Sequence, residues 1–87
     1  MKKNYITYVL QSKSDKNFYV GFTTNLKKRL DEHNNGKVKS TSARRPFEVV
    51  YYEVCYNQKD ALHREKYLKS SYGKRYIKNR LKNYLMG

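Results

Sequence analysis

The chain has 87 residues, the size of one small domain with a thin hydrophobic core. Twenty Lys and Arg residues against seven Asp and Glu residues leave a net charge of +13. We therefore expect a polyanionic partner, nucleic acid first and an anionic membrane surface second. One cysteine excludes an intramolecular disulfide and a cysteine-rich metal site and predicts a reducing, cytoplasmic location. The lack of a long apolar run predicts that the chain spans no membrane. A basic surface without a partner is the alternative, and the charge favours a monomer over a homo-oligomer.

The N-terminal segment predicts a β-hairpin. Residues 5–11 and 17–22 are rich in β-branched and aromatic side chains, which is typical of strands, and the polar residues 12–16 between them predict a turn. Gly21 lies inside the second predicted strand. A glycine there indicates a bulge, or a place where another group approaches the backbone closely.

A short helix and a loop are predicted next. The Thr23-Thr24 pair can cap a helix that runs to about Asn34, with Leu26 and Leu30 as its apolar stripe. Residues 36–45 are polar, basic and without periodicity, so we expect a loop.

The second half predicts one more strand and two helices. Residues 47–55 form the strand, and Asn57 caps a helix over residues 58–69. Residues 70–73 then separate that helix from a final helix over residues 74–85. The basic face of the final helix is formed by Lys74, Arg75, Lys78 and Lys82. The order β-β-α-β-α-α predicts an α+β fold, a small three-stranded sheet with flanking helices.

Glu65 interrupts the apolar pattern of the first of these two helices. At 100° per residue, Ala61, Leu62 and Leu68 define the apolar face. Glu65 falls inside that arc, whereas Arg64 falls outside it. A buried carboxylate requires a cation, hydrogen-bond donors or a metal ion, and a structural ion pair with a nearby Lys or Arg is the simpler alternative.

Arg29 and His33 share one face of the helix after the hairpin, because they are four residues apart. Both should lie at the rim of the sheet, where Arg29 could grip a phosphate and His33 could position or deprotonate water. The alternative for His33 is an ordinary packing role.

Tyr8 and Tyr19 lie on the two hairpin strands. A four-residue turn, 12–15, would pair them directly on one face of the sheet, whereas an odd turn would separate them. Tyrosine has a pKa of about 10, so it acts as a base at neutral pH only where positive charge lowers that pKa. Arg29 and the net charge have the required sign, and a role as core aromatics is the alternative.

The loop before the third strand carries polar and basic side chains, Ser40, Thr41, Arg44 and Arg45. Such residues commonly contact backbone phosphates of nucleic acids. A solvated loop without function is the alternative.

In this order and spacing, these residues resemble the GIY-YIG nuclease superfamily, and the resemblance covers about residues 4–81. Ile6-Thr7-Tyr8 stands where the family has its first signature triplet, with Gly and Ile replaced and the Tyr kept. Tyr19-Val20-Gly21 stands for the second triplet. Within the family, the chain is similar to the small single-domain bacterial UPF0213-like branch. The other family positions are matched by Arg29, His33 and Glu65.

The resemblance implies a metal-dependent endonuclease acting on DNA, with nicked, branched or damaged DNA among the candidate substrates. Glu65 would hold one Mg²⁺ or Mn²⁺ ion. Tyr8 would act as general base or position water, and Tyr19 would orient water or substrate. Arg29 would stabilise charge on the phosphate, and His33 would assist proton transfer.

Many family members also carry an Asn after the Glu, and Asn79 is the nearest candidate, followed by Asn83. Together with Arg44, Arg45 and Lys69, Asn79 forms our set of predicted nucleic-acid contacts. The alternative to an enzyme is a non-catalytic nucleic-acid-binding module on the same fold.

Overall fold

The computed structural model describes residues 2–87 and has a three-stranded antiparallel sheet at its centre. The strands are β1 (Tyr5–Ser12), β2 (Phe18–Thr23) and β3 (Phe47–Cys55), in the order β2-β1-β3. β1 is therefore paired on both sides, and β2 and β3 form the two edges. This architecture confirms the predicted three-stranded α+β fold.

The hairpin register decides which side chains of β1 and β2 share a face. Tyr8 lies opposite Gly21, and Tyr19 lies opposite Leu10. The expectation that Tyr8 pairs directly with Tyr19 is therefore wrong, because β1 extends through Ser12 and the turn begins later than expected. The offset is two residues, and an even offset keeps both rings on one face as diagonal neighbours.

The helix after the hairpin, α1, spans Leu26–Asn34, and its cap differs from the prediction. Asn25 is the N-cap, since its side-chain oxygen accepts from the Lys28 N–H at 3.1 Å. Thr23 belongs to β2 instead, and its hydroxyl oxygen accepts from the Asn25 N–H at 3.1 Å. The threonine thus fixes the turn into the helix rather than capping it.

Residues 39–44 form a 3₁₀ helix, Lys39–Arg44, where a loop was expected. The Thr41 hydroxyl donates to the Val38 carbonyl at 3.3 Å, and the Ser42 hydroxyl donates to the Lys39 carbonyl at 3.2 Å. Thr41 is the only buried residue of this segment. The sequence therefore has no apolar periodicity that could have revealed the helix.

Three further helices follow β3, and the predicted cap and bounds of the first are confirmed. Asn57 caps it by accepting from the Lys59 N–H at 2.9 Å. Within residues 2–87, no helix is long and apolar enough to cross a membrane. The three helices are α2 (Gln58–Lys69), α3 (Ser71–Arg80) and α4 (Lys82–Met86).

The single final helix predicted over residues 74–85 is wrong at its start and in its continuity. Ser70 alone separates α2 from α3, because its hydroxyl caps the new helix by accepting from the Gly73 N–H at 3.2 Å. Gly73 lies where α3 contacts α2. A larger residue would not fit there, because a Cβ at this position would overlap the backbone of Leu68. Leu81 leaves helical geometry and divides α3 from α4.

The core has two clusters, one on each face of the sheet. One lies against α1, and the other lies under α2 and α3. On the second face, the Thr7 hydroxyl also donates to the Ala61 carbonyl at 2.8 Å, which anchors α2 to the central strand. Side chains from α1 and α2 therefore approach the sheet from opposite faces. The fully buried members are Tyr8, Leu10 and Phe47 in the first cluster and Val9, Leu68 and Ile77 in the second.

Candidate active site

Tyr8 and His33 form the centre of a hydrogen-bonded group on the α1 face. Their exposed fractions are 1% and 0%. The Tyr8 hydroxyl lies 3.0 Å from His33 Nε2, and the Arg29 Nε–H donates to the same hydroxyl oxygen at 3.4 Å. The structure thus brings together three of the predicted site residues, one from β1 and two from α1.

Gly21 makes room for the Tyr8 hydroxyl. It lies opposite Tyr8 on β2, and a Cβ at this position would overlap the Tyr8 hydroxyl and ring. The close approach that a glycine inside a strand indicates is therefore made by a side chain of the candidate site itself. Because any side chain at Gly21 would displace Tyr8, this glycine positions the hydroxyl.

Thr41 extends the hydrogen-bonded group to the 3₁₀ helix. Its hydroxyl donates to the Val38 carbonyl and lies 2.8 Å from His33 Nδ1. Donation from Thr41 to Val38 leaves the Thr41 oxygen as an acceptor, which favours the His33 tautomer that has its proton on Nδ1 and accepts at Nε2 from the Tyr8 O–H. Thr41 is buried, so both predictions for it, a phosphate contact and a solvated loop residue, are wrong. No spacing rule in the sequence connects Thr41 to His33.

Tyr19 packs its ring on His33. The two ring centroids are 4.9 Å apart at an interplanar angle of 63°, and the Tyr8 and Tyr19 centroids are 6.4 Å apart. Tyr19 is partly exposed and borders a small depression of about 230 Å³ that Lys69 also lines. Tyr19 thus connects the buried group to the surface.

Burial dominates the titration of this group. It raises the pKa of Tyr8 in spite of the opposing hydrogen bond and charge of Arg29. Arg29 has the expected sign, since it lowers the pKa of Tyr8, but the cost of removing a phenolate from water is larger and the net shift is upward. Burial first and Arg29 second lower the pKa of His33, so its imidazole is neutral at pH 7. The predicted rim position for His33 is also wrong, since it has no exposed surface.

Glu65 lies at the margin of the buried face of α2 rather than inside it. Ala61 and Leu68 are fully buried, whereas Leu62 is 40% exposed, so the apolar arc drawn through Leu62 was displaced. The Glu65 side chain is 19% exposed, and its carboxylate accepts from Lys69 Nζ at 3.1 Å. The expectation of a buried carboxylate is wrong, and the simpler alternative, an ion pair with a nearby cation, is present.

Glu65 is a candidate ligand for a divalent ion. Its charge contributes to the raised pKa of Tyr8, so the carboxylate lies within electrostatic reach of the tyrosine. Within residues 2–87 no three His, Cys, Asp or Glu side chains form a group that could hold a metal. A lone carboxylate still suits Mg²⁺, which keeps several waters and takes further ligands from substrate phosphates. Binding would require Lys69 to release the carboxylate.

A shallow depression of about 530 Å³ opens beside Arg29. Lys28 and Thr23 also line it, and the Arg29 side chain is 34% exposed. One edge of the guanidinium is held by Glu32, whose carboxylate accepts from Nη1 at 3.1 Å. The depression therefore gives an anion access to Arg29 from solvent.

The predicted nucleic-acid contacts do not gather at this site. Arg44 binds the Asp15 carboxylate at 2.7 Å and holds the hairpin, and Arg45 donates to the Ser42 carbonyl at 2.7 Å. Asn79 is exposed on α3, and Asn83 is exposed on α4. Arg44 and Arg45 thus have structural contacts of their own. Of the predicted set, Lys69 alone contacts a residue of the candidate site, through its ion pair with Glu65.

Comparison with known proteins matches the chain to one family. The family model of the GIY-YIG catalytic domain matches residues 4–82. A UPF0213 protein of Syntrophus aciditrophicus is 45% identical over 71 residues, 79% of each chain. A UPF0213 protein of Clostridium perfringens is 45% identical over 67 residues, 76% of this chain and 70% of that protein. The solution NMR structure of a UPF0213 protein from Bacillus halodurans is similar with a TM-score of 0.53 and 31% identity, covering 85% of this chain and 81% of that one.

Proposed function

The chain belongs to the GIY-YIG catalytic-domain family, a superfamily of nucleases, and on that premise we propose that it is a metal-dependent endonuclease that hydrolyses phosphodiester bonds in DNA. The observation that carries the proposal is the hydrogen-bonded group of Arg29, Tyr8 and His33 within electrostatic reach of Glu65. It combines a proton acceptor, a cation for phosphate and a carboxylate for a metal ion. These are the groups that phosphodiester hydrolysis requires.

Tyr8 would relay a proton rather than begin as a phenolate. Its raised pKa keeps it protonated at neutral pH, and its O–H points to the neutral His33 Nε2. In the proposed step, a water oxygen bonds to phosphorus while its proton passes to the Tyr8 oxygen and the Tyr8 proton passes to His33. The bond from phosphorus to the leaving oxygen breaks, and that oxygen takes a proton from solvent. Tyr19, packed on His33, would orient the water or the substrate.

Arg29 would hold the scissile phosphate. Its Nε and Nη1 are engaged by Tyr8 and Glu32, and its side chain lines the depression beside α1. A guanidinium fixed at two positions loses little freedom on binding a third group, which favours its use against charge that develops on phosphate.

Glu65 would hold one Mg²⁺ or Mn²⁺ ion. When bound, such an ion polarises the phosphate and stabilises the leaving oxygen. In the structure the Glu65 carboxylate forms an ion pair with Lys69. Once displaced, the Lys69 ammonium would be free to meet a substrate phosphate.

A non-catalytic nucleic-acid-binding module is the second candidate, and two observations favour it. Tyr8 is only 1% exposed, which restricts the approach of water, and the Glu65 carboxylate is paired with Lys69. Such a module would keep salt-sensitive affinity for nucleic acid but would release no product with any metal.

A cleavage panel separates the two candidates. Labelled duplex, single-stranded, nicked, flap and four-way-junction DNA would be incubated with Mg²⁺ or Mn²⁺, with EDTA and an RNA substrate as controls. For an enzyme, Tyr8→Phe and Glu65→Gln should each lower the cleavage rate by about 100-fold or more. Glu48→Gln is the matched control, because Glu48 pairs with Lys13 and Tyr84 away from the site. Cleavage that survives Glu65→Gln would contradict the assigned site, and binding without cleavage of any substrate would establish the module.

A further inference from the structure

A basic groove runs along the C-terminal helices, away from the hydrogen-bonded group of Tyr8. Its volume is about 1020 Å³. Lys74, Lys78 and Lys82 form one wall, on α3 and α4, and Lys16 lies on the hairpin turn. Phe18 contributes an apolar side chain to the lining. Among residues 2–87, no acidic side chain lines the groove.

The lysines of this groove have no counter-charge of their own. All four are exposed, and within residues 2–87 none has a carboxylate oxygen within ion-pair distance. The nearby carboxylates are already engaged, Asp15 by Arg44 and Glu48 by Tyr84. An unpaired row of cations along a groove has the charge pattern that complements a polyanion.

The spacing of the lysine row suits a nucleic-acid backbone. Lys74 and Lys78 are one helical turn apart, about 6 Å along the axis, and Lys82 follows at the same sequence interval. One DNA strand carries a charge every 3.4 Å or so of its axis, so a row of this kind can meet about every second phosphate. Lys is a common donor to such phosphates.

The groove leads to the candidate active site. The smaller depression beside Tyr19 shares Phe18 and Lys74 with the groove and also includes Lys69. Lys69 in turn pairs with Glu65. The residues that line the two depressions therefore connect the lysine row, by way of Tyr19 and Lys69, to the carboxylate that would hold the metal ion.

We propose that this groove binds the sugar–phosphate backbone of a DNA duplex and guides the scissile strand past Tyr19 to Glu65. The inference rests on the proposed nuclease function and names the part of the surface that holds the substrate outside the reacting atoms. Binding through phosphates alone carries no base preference. The groove would therefore supply affinity and register, and the structure of the DNA at the cleavage point would supply selectivity.

The test compares two triple variants with the same loss of charge. Lys74, Lys78 and Lys82 are changed to Gln in the groove variant, and Lys27, Lys37 and Lys59 are changed to Gln in the control variant. All six lysines are exposed and outside ion pairs in the described structure, so both variants should fold, which circular dichroism and thermal melting check. Each variant loses three of the charges that make up the net +13.

Fluorescence anisotropy with a labelled DNA duplex in EDTA, from 50 to 300 mM NaCl, gives the affinity without cleavage. The groove variant should bind about tenfold more weakly or worse, and the slope of log K against log salt should flatten by about 2.7 for three lost phosphate contacts. The control variant should keep the wild-type slope. Equal losses in the two variants would overturn the groove while leaving the nuclease function in place, whereas a wild-type protein that binds no DNA would overturn the function itself.

Discussion

Thr41 favours one tautomer of His33 through its hydrogen bond to Nδ1. Because its own proton is donated to Val38, its oxygen is left to accept from His33 Nδ1, which leaves Nε2 free to accept from Tyr8. Thr41→Val removes that acceptor and leaves a buried N–H without a partner, which costs about 1–3 kcal/mol. We expect the single-turnover cleavage rate to fall by about tenfold or more. The ¹⁵N shifts of the His33 ring should report a loss of the Nδ1–H tautomer.

Thr41→Ser is the matched control for this prediction, because it retains the hydroxyl. It should restore the tautomer signature and most of the rate. A purely structural role for Thr41 would change melting temperature in both variants but would leave the ring ¹⁵N shifts alone. Val and Ser variants with the same His33 tautomer would contradict the positioning role.

His33 should also make stability depend on pH. Its folded pKa is lowered from an ordinary value of 6.5, first by burial and then by Arg29. The unfolded chain therefore takes up a proton at a higher pH than the folded protein. The stabilisation is fully present above pH 6.5 and is lost as the pH falls from 6.5 through the folded pKa.

Urea titrations between pH 8 and pH 5 measure this dependence. The free energy of unfolding should decline across that range in the wild type and in the control His63→Gln, since His63 is exposed. In His33→Gln the decline should be largely absent, even though the variant is less stable at every pH. An unchanged pH dependence in His33→Gln would show that another group is responsible.

At the scale of elements, the hairpin shows what local pattern can and cannot determine. Alternating aromatic and β-branched residues were enough to place β1 and β2, and an even turn was enough to place Tyr8 and Tyr19 on one face. The exact partner of Tyr8 was not predictable, because it depends on where the strand ends at Ser12. That residue stays in the strand since its hydroxyl donates to the Arg44 carbonyl at 2.6 Å, a contact with a distant segment.

The opposition of Gly21 and Tyr8 across the hairpin gives a double-mutant prediction. In Gly21→Ala the new Cβ overlaps the Tyr8 ring, and overpacking of this kind costs about 1–3 kcal/mol. In the Tyr8→Leu background the ring is absent, so the same change at Gly21 should cost much less. Urea denaturation of the two single variants and the double variant yields the coupling free energy. Additive effects would mean that the alanine is accommodated by movement of the strand rather than by Tyr8.

The helical wheel placed the buried face of α2 wrongly, because it omits the contacts that polar side chains make with other elements. Arg64 was placed outside the buried arc, yet it packs between the rings of Tyr67 and Tyr76 at 5.0 and 4.9 Å. Its guanidinium also donates to both carboxylate oxygens of Glu53 on β3 at 2.9–3.0 Å. A cation that is satisfied in this way can pack against neighbouring elements although the wheel places it outside the buried arc. Glu53 lies on β3 and Tyr76 on α3, so no pattern within α2 could reveal these two partners.

At the scale of the whole molecule, the residues to which we assign chemistry were easier to find than the residues that support them. Tyr8, Arg29 and His33 could be singled out because their types and spacing match a known motif. Thr41 could not be predicted from the sequence, because only the folded chain brings its side chain next to His33. The lysine row was visible as a basic helix face, but its groove requires the hairpin turn to lie opposite it.

The net charge of +13 should oppose folding, since like charges come together in the compact state. Among the described residues, ion pairs engage Lys13, Arg29, Arg44, Arg64 and Lys69, so most of the 20 basic side chains repel one another without compensation. Salt screens such repulsion over a Debye length of about 8–10 Å at physiological strength. If screening reduced the repulsion in the folded protein by ~1 kcal/mol, the melting temperature of a domain this small would rise by about 4–8 °C.

Differential scanning calorimetry at 20 and 300 mM NaCl measures this effect. The groove variant at Lys74, Lys78 and Lys82 should melt higher than the wild type at low salt and respond less to added salt, because three repelling charges are gone. Sucrose at equal osmolality, which screens no charge, serves as the control for general solvent effects. A wild-type melting temperature that falls as NaCl is added would mean that the ion pairs of Arg44 and Arg64 outweigh the repulsion. The groove lysines would then exert no destabilising effect for a bound polyanion to relieve.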